Sequence, residues 1–139
     1  MNTSSLTHRL KASGKKLTQA RQAILTILEG SQLPITAAEV HARLMKAHMP
    51  ADRVTVYRNL SLLEKLRLVN TVGFHDGQMR YEIHSGREHH HHIQCLTCGK
   101  IADLMLCPLE KLTQLVEKQT RFSVDRHALE FFGWCPQCR

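Results

Sequence analysis

Two pairs of cysteines in the C-terminal half place the tightest constraint on how this chain can fold. Each pair has the spacing Cys-x-x-Cys, 36 residues separate the pairs, and their members are Cys95, Cys98, Cys135 and Cys138. Four thiolates at about 2.3 Å make a closed tetrahedral site for zinc, because a tight turn lets both sulfur atoms of a pair point at one ion. The spacing therefore predicts a structural zinc ion that ties the first strand of a small domain to its last residues. The fifth cysteine, Cys107, has no cysteine at ligand spacing, and we expect an inert thiol there.

The length and composition indicate a folded, soluble chain. Its 139 residues suffice for one ordinary domain or two small ones. No apolar run reaches the 18 residues or so of a membrane span, and the first residues lack the apolar core of a signal peptide. We therefore expect a cytoplasmic protein without a membrane partner, in which paired cysteines bind metal rather than form disulfides.

The positive charge of the chain is concentrated in its first half. Residues 1–70 carry 11 basic and 4 acidic side chains, whereas residues 71–139 carry 8 of each. This segregation favours a polyanionic partner for the first half and a different role for the second. A solvated basic face without a partner is the alternative.

Three helices followed by a hairpin are predicted in the first half. Each helix starts at a residue whose side-chain oxygen can cap it, and these residues are Thr18, Thr36 and Asp52. The runs 68–74 and 78–84 are β-prone, and Asp76-Gly77 between them is a hairpin signal. This order is typical of a winged helix-turn-helix, and an unrelated small α+β domain with the same order is the alternative.

A linker at residues 85–88 separates a first domain at 1–84 from a second at 89–139. In the second domain, strands are predicted at 89–95, 100–104 and 127–134, and a helix at 108–119. This unit is a small α/β domain with little apolar mass, so a metal ion or a partner subunit is expected to stabilise it.

Four consecutive histidines, His89 to His92, lead into Cys95. On a strand, alternate side chains point to opposite faces, so one strand can serve two metal sites. Further side chains could complete such sites, and they are Glu82, His84, Asp103, Glu110 and His127. Imidazole with carboxylate suits zinc, ferrous iron or manganese. The common catalytic motifs are absent from the sequence, and we expect no enzyme.

Two motifs resemble the ferric uptake regulator (Fur) family of bacterial metal-sensing repressors. One is the T-V-Y-R sequence at Thr55 to Arg58, and the other is H-x-H-x-x-C-x-x-C-G-K from His90 to Lys100. The resemblance covers the chain from about residue 8 to residue 139. It implies an α+β homodimer with an N-terminal winged helix-turn-helix and a C-terminal α/β dimerisation domain, in which metal acts as the co-repressor for binding to a palindromic operator in double-stranded DNA.

The resemblance also implies three metal sites. Structural zinc would be held by the four paired cysteines. A regulatory site would use His90 and His92, with Glu82 or His84 from the hinge side, and Asp103 matches an acidic position of iron-sensing members. A second site would use His89, His91, Glu110 and His127.

The identity of the regulatory metal is suggested by two departures from the iron and peroxide sensors of the family. Iron and peroxide sensors usually carry a histidine just before the second helix, but residues 32–35 of this chain contain none. In the histidine run, His91 stands where those sensors often have Asp or Tyr. Both departures resemble the zinc-sensing branch, although the cysteine which that branch often has near position 84 is absent. We therefore favour Zn²⁺ as the regulatory ion, with Fe²⁺, Mn²⁺ or a peroxide response as the alternative.

For DNA contact, we expect Tyr57 and Arg58 to lie at the middle of the recognition helix. Flanking residues on that helix and basic residues before and within the first predicted helix complete the set, namely Arg53, Thr55, Lys15, Lys16 and Arg21. The alternative function from another class is zinc storage or trafficking.

Overall fold

The computed structural model describes residues 3–49, 51–74, 76–84 and 90–139, with side chains from residue 5 onward. The chain divides into two compact units, residues 1–86 and 87–139. The elements in order are α1 (Thr3–Ala12), α2 (Gln19–Glu29), β1 (Ile35–Thr36), α3 (Ala37–Lys46), α4 (Arg53–Lys65), β2 (Val69–Gly73), β3 (Met79–Ile83), β4 (His91–Cys95), β5 (Ile101–Leu104), α5 (Glu110–Thr120) and β6 (Glu130–Gly133). The predicted linker at 85–88 and His89 lie outside the described residues.

The predicted helix starts in the first unit are confirmed. Thr36 and Glu39 form a capping box: the Glu39 backbone N–H donates to Thr36 Oγ1 at 3.2 Å, and the Thr36 N–H donates to Glu39 Oε2 at 2.7 Å. Thr18 caps α2 and Asp52 caps α4 through their side-chain oxygens. Each bond satisfies a backbone donor that the first turn of a helix leaves open.

The core of the first unit is formed by four helices and a small sheet with the strand order β1-β3-β2. Its fully buried side chains include Leu6 and Leu10 of α1, Ile24 and Leu25 of α2, Val40 and Leu44 of α3, and Val56, Leu60 and Leu63 of α4. Helix α1 is absent from the sequence-based prediction, because only two apolar side chains mark it within a polar segment. Strand β1 is absent from it too, since it spans two residues.

The predicted hairpin between β2 and β3 is confirmed. The strands pair antiparallel from Val69↔Ile83 to Gly73↔Met79. Gly77 in the turn has φ +70°, the left-handed region that favours glycine. The winged helix-turn-helix fold is therefore present.

The second unit is a three-stranded sheet with the order β5-β4-β6 and one helix. Strand β4 pairs antiparallel with β5 and parallel with β6. Among the described residues of this unit, the buried side chains are His91, His92, Gln94 and Cys95, and α5 buries none. Within the part of the chain that the structure describes, no helix is long and apolar enough to span a bilayer.

Candidate metal centres and nucleic-acid interface

The two cysteine pairs meet because they leave the sheet at the same end of neighbouring parallel strands. Cys95, the last residue of β4, lies in register with Gly133, the last residue of β6. The backbone N–H of Leu96 donates to the Gly133 carbonyl at 2.8 Å, so the pairing extends into the first turn. Each pair then turns back on itself, and one end of the sheet carries all four thiols.

The four sulfur atoms have the spacing of a tetrahedral zinc site. All four lie within 4.8 Å of one another, and Cys98 Sγ lies 3.8 Å from Cys135 Sγ. Tetrahedral ligands at about 2.3 Å from zinc are about 3.8 Å apart, so this pair already has the required separation. In the turn of the first pair, Gly99 adopts φ +72° and donates its N–H to the Cys95 carbonyl at 2.9 Å. The residues present therefore fit a structural zinc ion.

The electrostatics of the four-cysteine site favour a cation. Backbone hydrogen bonds from Cys135 and then Cys98 lower the pKa of Cys95 to about 6, because they stabilise its thiolate. Hydrogen bonding of the Cys138 thiol to the side chain of Cys135, and then to that of Cys98, raises the pKa of Cys138 to about 12. The thiols therefore resist joint ionisation, and a divalent cation would relieve the repulsion between thiolates.

His92 of β4 and His90, the residue just before that strand, belong to the second group of ligands. Their ring centroids lie 5.1 Å apart. Asp103 on β5 lies in register with His92, and its Oδ1 is 3.6 Å from His92 Nε2. The structure thus places two of the predicted regulatory ligands of the second unit, His90 and Asp103, each beside the third, His92.

The predicted regulatory ligands of the first unit, Glu82 and His84, share one neighbour. Asn70 on β2 lies in register with Glu82, and its Nδ2 donates to Glu82 Oε1 at 3.5 Å. The Oδ1 atom of Asn70 lies 2.8 Å from Nδ1 of His84. Asn70 therefore holds both side chains, a role for which the sequence carries no signal.

A third group lies on the opposite face of β4 and contains the cysteine that was expected to be inert. His91 is 4% exposed, and its ring centroid lies 5.3 Å from that of His127. The Sγ of Cys107 is 3.4 Å from Nε2 of His127, and the three ligand atoms lie within 4.8 Å of one another. We call these three residues the thiol–imidazole group. The structure thus adds Cys107 to His91 and His127 of the second site that the resemblance implied, and Glu110 is not among the residues grouped there.

Helix α4 presents an exposed face that carries most of the predicted DNA contacts. Arg53, Tyr57 and Arg58 are exposed on it, Tyr57 by 53%. Val54 shares this face and is 57% exposed, and it is missing from the predicted set of contacts. Thr55 lies off this face and is partly buried. The pKa of the capping Asp52 is lowered, chiefly by the backbone hydrogen bond from Thr55.

The basic residues before α2 and on its first turn differ in how the fold uses them. Lys15 and Lys16 are exposed in the segment between α1 and α2. The Arg21 guanidinium instead donates to Asn59 Oδ1 on α4 at 2.8 Å and to the Lys16 carbonyl. The structure thus gives Arg21 a packing role, and its predicted phosphate contact stays a prediction.

Comparison with known sequences covers nearly the whole chain. The model of the family described as "Ferric uptake regulator family" matches residues 12–132. The chain belongs to the ferric uptake regulator family. Members of the Fur family are metal-binding regulators of transcription, and the winged helix and the grouped metal ligands of this chain agree with that role.

Individual Fur-family relatives differ in what their names say they sense. The chain is 33% identical over 132 residues to the ferric uptake regulation protein of Bacillus subtilis, covering 93% of this chain and 89% of the relative. It is 31% identical over 130 residues to the peroxide-responsive repressor PerR of Staphylococcus aureus, covering 94% and 86%. The solved structure of Helicobacter pylori Fur, described as revealing three functional metal binding sites, matches with a TM-score of 0.83 and 27% identity over 99% of this chain and 94% of that one.

Proposed function

We propose that this Fur-family protein is a zinc-responsive transcriptional repressor that binds a palindromic operator in the cytoplasm as a homodimer. The observation that carries the proposal is that His92 of β4 lies beside both Asp103 of β5 and His90, the residue before β4. Two imidazoles and a carboxylate, arranged by strand register, form most of a binding site for a divalent cation.

The regulatory site would be completed by Glu82 or His84. These residues belong to the first unit, whereas His90, His92 and Asp103 belong to the second. An ion bound by both sets constrains the orientation of the DNA-binding unit, so metal binding favours the conformation whose half-site spacing fits the operator. Asn70 supports this assignment, because its hydrogen bonds orient both candidate ligands.

Zinc is proposed as the regulatory ion on the strength of the ligand types. The site is rich in imidazole, and the general order of divalent affinities places zinc above ferrous iron and manganese. Residues 32–35 supply no further histidine. The names of the relatives point to iron uptake and to peroxide response, so Fe²⁺ and Mn²⁺ are the alternatives that an experiment must include.

The remaining metal sites are proposed to stabilise the second unit. Structural zinc would be bound by the four-cysteine site, whose sulfur atoms have the spacing that a tetrahedral ion requires. The second site, proposed from the resemblance at His89, His91, Glu110 and His127, would hold a further ion. The proposed number of sites equals the three functional metal binding sites described for Helicobacter pylori Fur.

The DNA-binding surface is proposed on the exposed face of α4 and the basic segment before α2. Tyr57 and Arg58 would contact base edges, with Arg53 beside them and Thr55 as the least exposed member of the predicted set. Lys15 and Lys16, with Arg21 at the start of α2, would contact phosphates. The charge surplus of the first half supports this placement.

The homodimer is proposed to form through the second unit. Leu112, Leu115 and Val116 share one face of α5 and are 52%, 61% and 40% exposed. An exposed apolar face of this size on a helix of a small domain is typical of a subunit interface.

A double variant tests the regulatory site. His90→Ala with His92→Ala should retain the fold, because the four-cysteine site and the first-unit core are untouched, and should lose metal-dependent binding to an operator duplex selected from a random pool by the zinc-loaded protein. Glu82→Gln and His84→Ala, measured separately, identify the ligand from the first unit. Unchanged metal-dependent affinity in the double variant contradicts the assignment. Affinity that is equal for all sequences and indifferent to metal would support the storage or trafficking alternative instead.

A further inference from the structure

We propose that Cys107 is a metal ligand, and that the thiol–imidazole group of His91, Cys107 and His127 forms a mixed thiolate and imidazole site for zinc. The inference rests on the second metal site of the proposed function and adds a ligand to it, and it does not depend on which ion controls DNA binding. It concerns a thiol that lies outside the four-cysteine site and outside the residues assigned from the family resemblance.

The distance between Cys107 and His127 is the first argument. A tetrahedral zinc ion with sulfur at about 2.3 Å and nitrogen at about 2.0 Å holds those two atoms about 3.5 Å apart. Cys107 Sγ lies 3.4 Å from His127 Nε2. This separation also fits a thiol–imidazole hydrogen bond, so the distance alone does not select the metal site.

The third member of the group, His91, distinguishes a metal site from a thiol–imidazole hydrogen bond. A ligand nitrogen of His91 lies within 4.8 Å of both other ligand atoms, whereas a thiol–imidazole pair needs only two partners. The His91 side chain is buried, and it comes from the strand that also supplies Cys95. Three ligand atoms from β4, from residue 107 after β5 and from residue 127 before β6 therefore converge on one point, as a coordinated ion requires.

The ligand types indicate which ions the site would select. A thiolate with two imidazoles prefers zinc, its Co²⁺ surrogate or a copper ion over Mn²⁺, which prefers carboxylate and other oxygen ligands. A thiolate ligand from Cys107 would therefore make the second site of this chain more selective for softer ions. The fourth ligand of a tetrahedral ion would come from outside the group, and Glu110 is the residue to test for it.

Cobalt spectroscopy tests the proposal on the full-length protein. The four-cysteine site is first filled with Zn²⁺, and Co²⁺ is then added. All cysteines other than Cys107 belong to the four-cysteine site, and the proposed regulatory site contains no thiolate. A thiolate-to-cobalt charge-transfer band therefore reports Cys107. We expect the band to saturate at one Co²⁺ per chain and to be lost completely in Cys107→Ser.

Two further variants test whether the band comes from the thiol–imidazole group. Glu110→Gln should keep the charge-transfer band, and His127→Ala should weaken Co²⁺ binding in this site. A band that persists in Cys107→Ser arises from displaced structural zinc, and this result, like the absence of a band in the wild type, overturns the proposal.

Thiol alkylation provides a measurement that does not depend on a variant folding. In the wild type with structural zinc, the alkylation rate at Cys107, read by mass spectrometry, should fall at least about tenfold when Zn²⁺ is added, because only the free thiolate is nucleophilic. An alkylation rate that is independent of added Zn²⁺ shows a hydrogen-bonded thiol and contradicts the site. DNA binding is not read in any of these measurements, so their failure is distinct from failure of the proposed function.

Discussion

The Nε atom of Arg21 donates a hydrogen bond to Oδ1 of Asn59 at 2.8 Å, and this bond joins α2 to the inner face of the proposed recognition helix. Asn59 is 8% exposed, and its Nδ2 donates to the Thr55 carbonyl one turn earlier in α4. The bond therefore helps to hold α4 in the rotation about its axis at which Tyr57 and Arg58 are exposed. Arg21 therefore supports the proposed recognition helix through this bond, and its phosphate contact remains a separate prediction.

Arg21→Ala should lower the free energy of unfolding by about 1–3 kcal/mol, because it leaves a buried amide oxygen without that donor. Lys15→Ala, at an exposed position of the adjoining segment, should leave stability unchanged and reduce the salt dependence of DNA binding by about one unit of log–log slope. Thermal unfolding and salt-dependent anisotropy measure the two effects. An Arg21→Ala variant of wild-type stability would show that the bond does not hold α4.

Val54 should contact a thymine methyl group, since it is an exposed apolar residue on the face of α4 that carries Arg53, Tyr57 and Arg58. Val54→Ala removes both γ-methyl groups; with one of them buried against the thymine methyl group, operator affinity should fall about fourfold, the effect of about 0.8 kcal/mol. Replacing operator thymines by uracil, one at a time, identifies the contacted base. At that base, uracil should weaken binding of the wild type and leave Val54→Ala unaffected; equal losses in both proteins argue against the contact.

Removal of the structural ion should unfold the second unit selectively. Trp134, the only tryptophan of the chain, precedes Cys135, so its fluorescence reports the four-cysteine site. After chelation, or in Cys98→Ser, the cooperative fluorescence transition on denaturation should disappear, because metal binding supplies folding free energy to a unit with few buried side chains. The helical circular dichroism of the first unit should persist. A cooperative Trp134 transition in the metal-free protein would mean that the ion is not needed for this fold.

Leu115→Glu should convert the dimer into a monomer of 15.9 kDa, because it places a charge in the middle of the apolar face of α5. Gln114→Glu adds the same charge on the opposite face of the helix and should leave the dimer intact. Sedimentation equilibrium of the zinc-loaded proteins measures both masses. A dimeric Leu115→Glu variant would place the interface elsewhere.

The sequence predicted those features of the fold that depend on neighbouring residues. Capping at Thr36, the turn at Gly77 and the opposite faces of His91 and His92 follow from local backbone geometry, and the structure has all three. The spacing of the two Cys-x-x-Cys pairs also predicts that their thiols bind a metal ion.

Two contacts that depend on tertiary packing were not predicted. Cys107 lies 20 residues before His127, and only the course of the chain around the sheet brings their side chains together. Arg21 and Asn59 are 38 residues apart, and no periodicity links them. From sequence alone, an arginine at a helix start that binds phosphate cannot be distinguished from one whose guanidinium forms hydrogen bonds within the fold.

Control of operator binding by a divalent ion is the central claim, and a metal-buffered titration tests it most directly. Fluorescence anisotropy of the selected duplex is measured with wild-type protein that holds its structural zinc, while free Zn²⁺ is varied, and then with Fe²⁺ and Mn²⁺ under anaerobic conditions. We predict that affinity for the duplex rises steeply at low free Zn²⁺ and that this rise is absent in the His90→Ala, His92→Ala variant. A rise with Fe²⁺ or Mn²⁺ alone would contradict the choice of zinc, and an affinity independent of all three ions would contradict the claim itself.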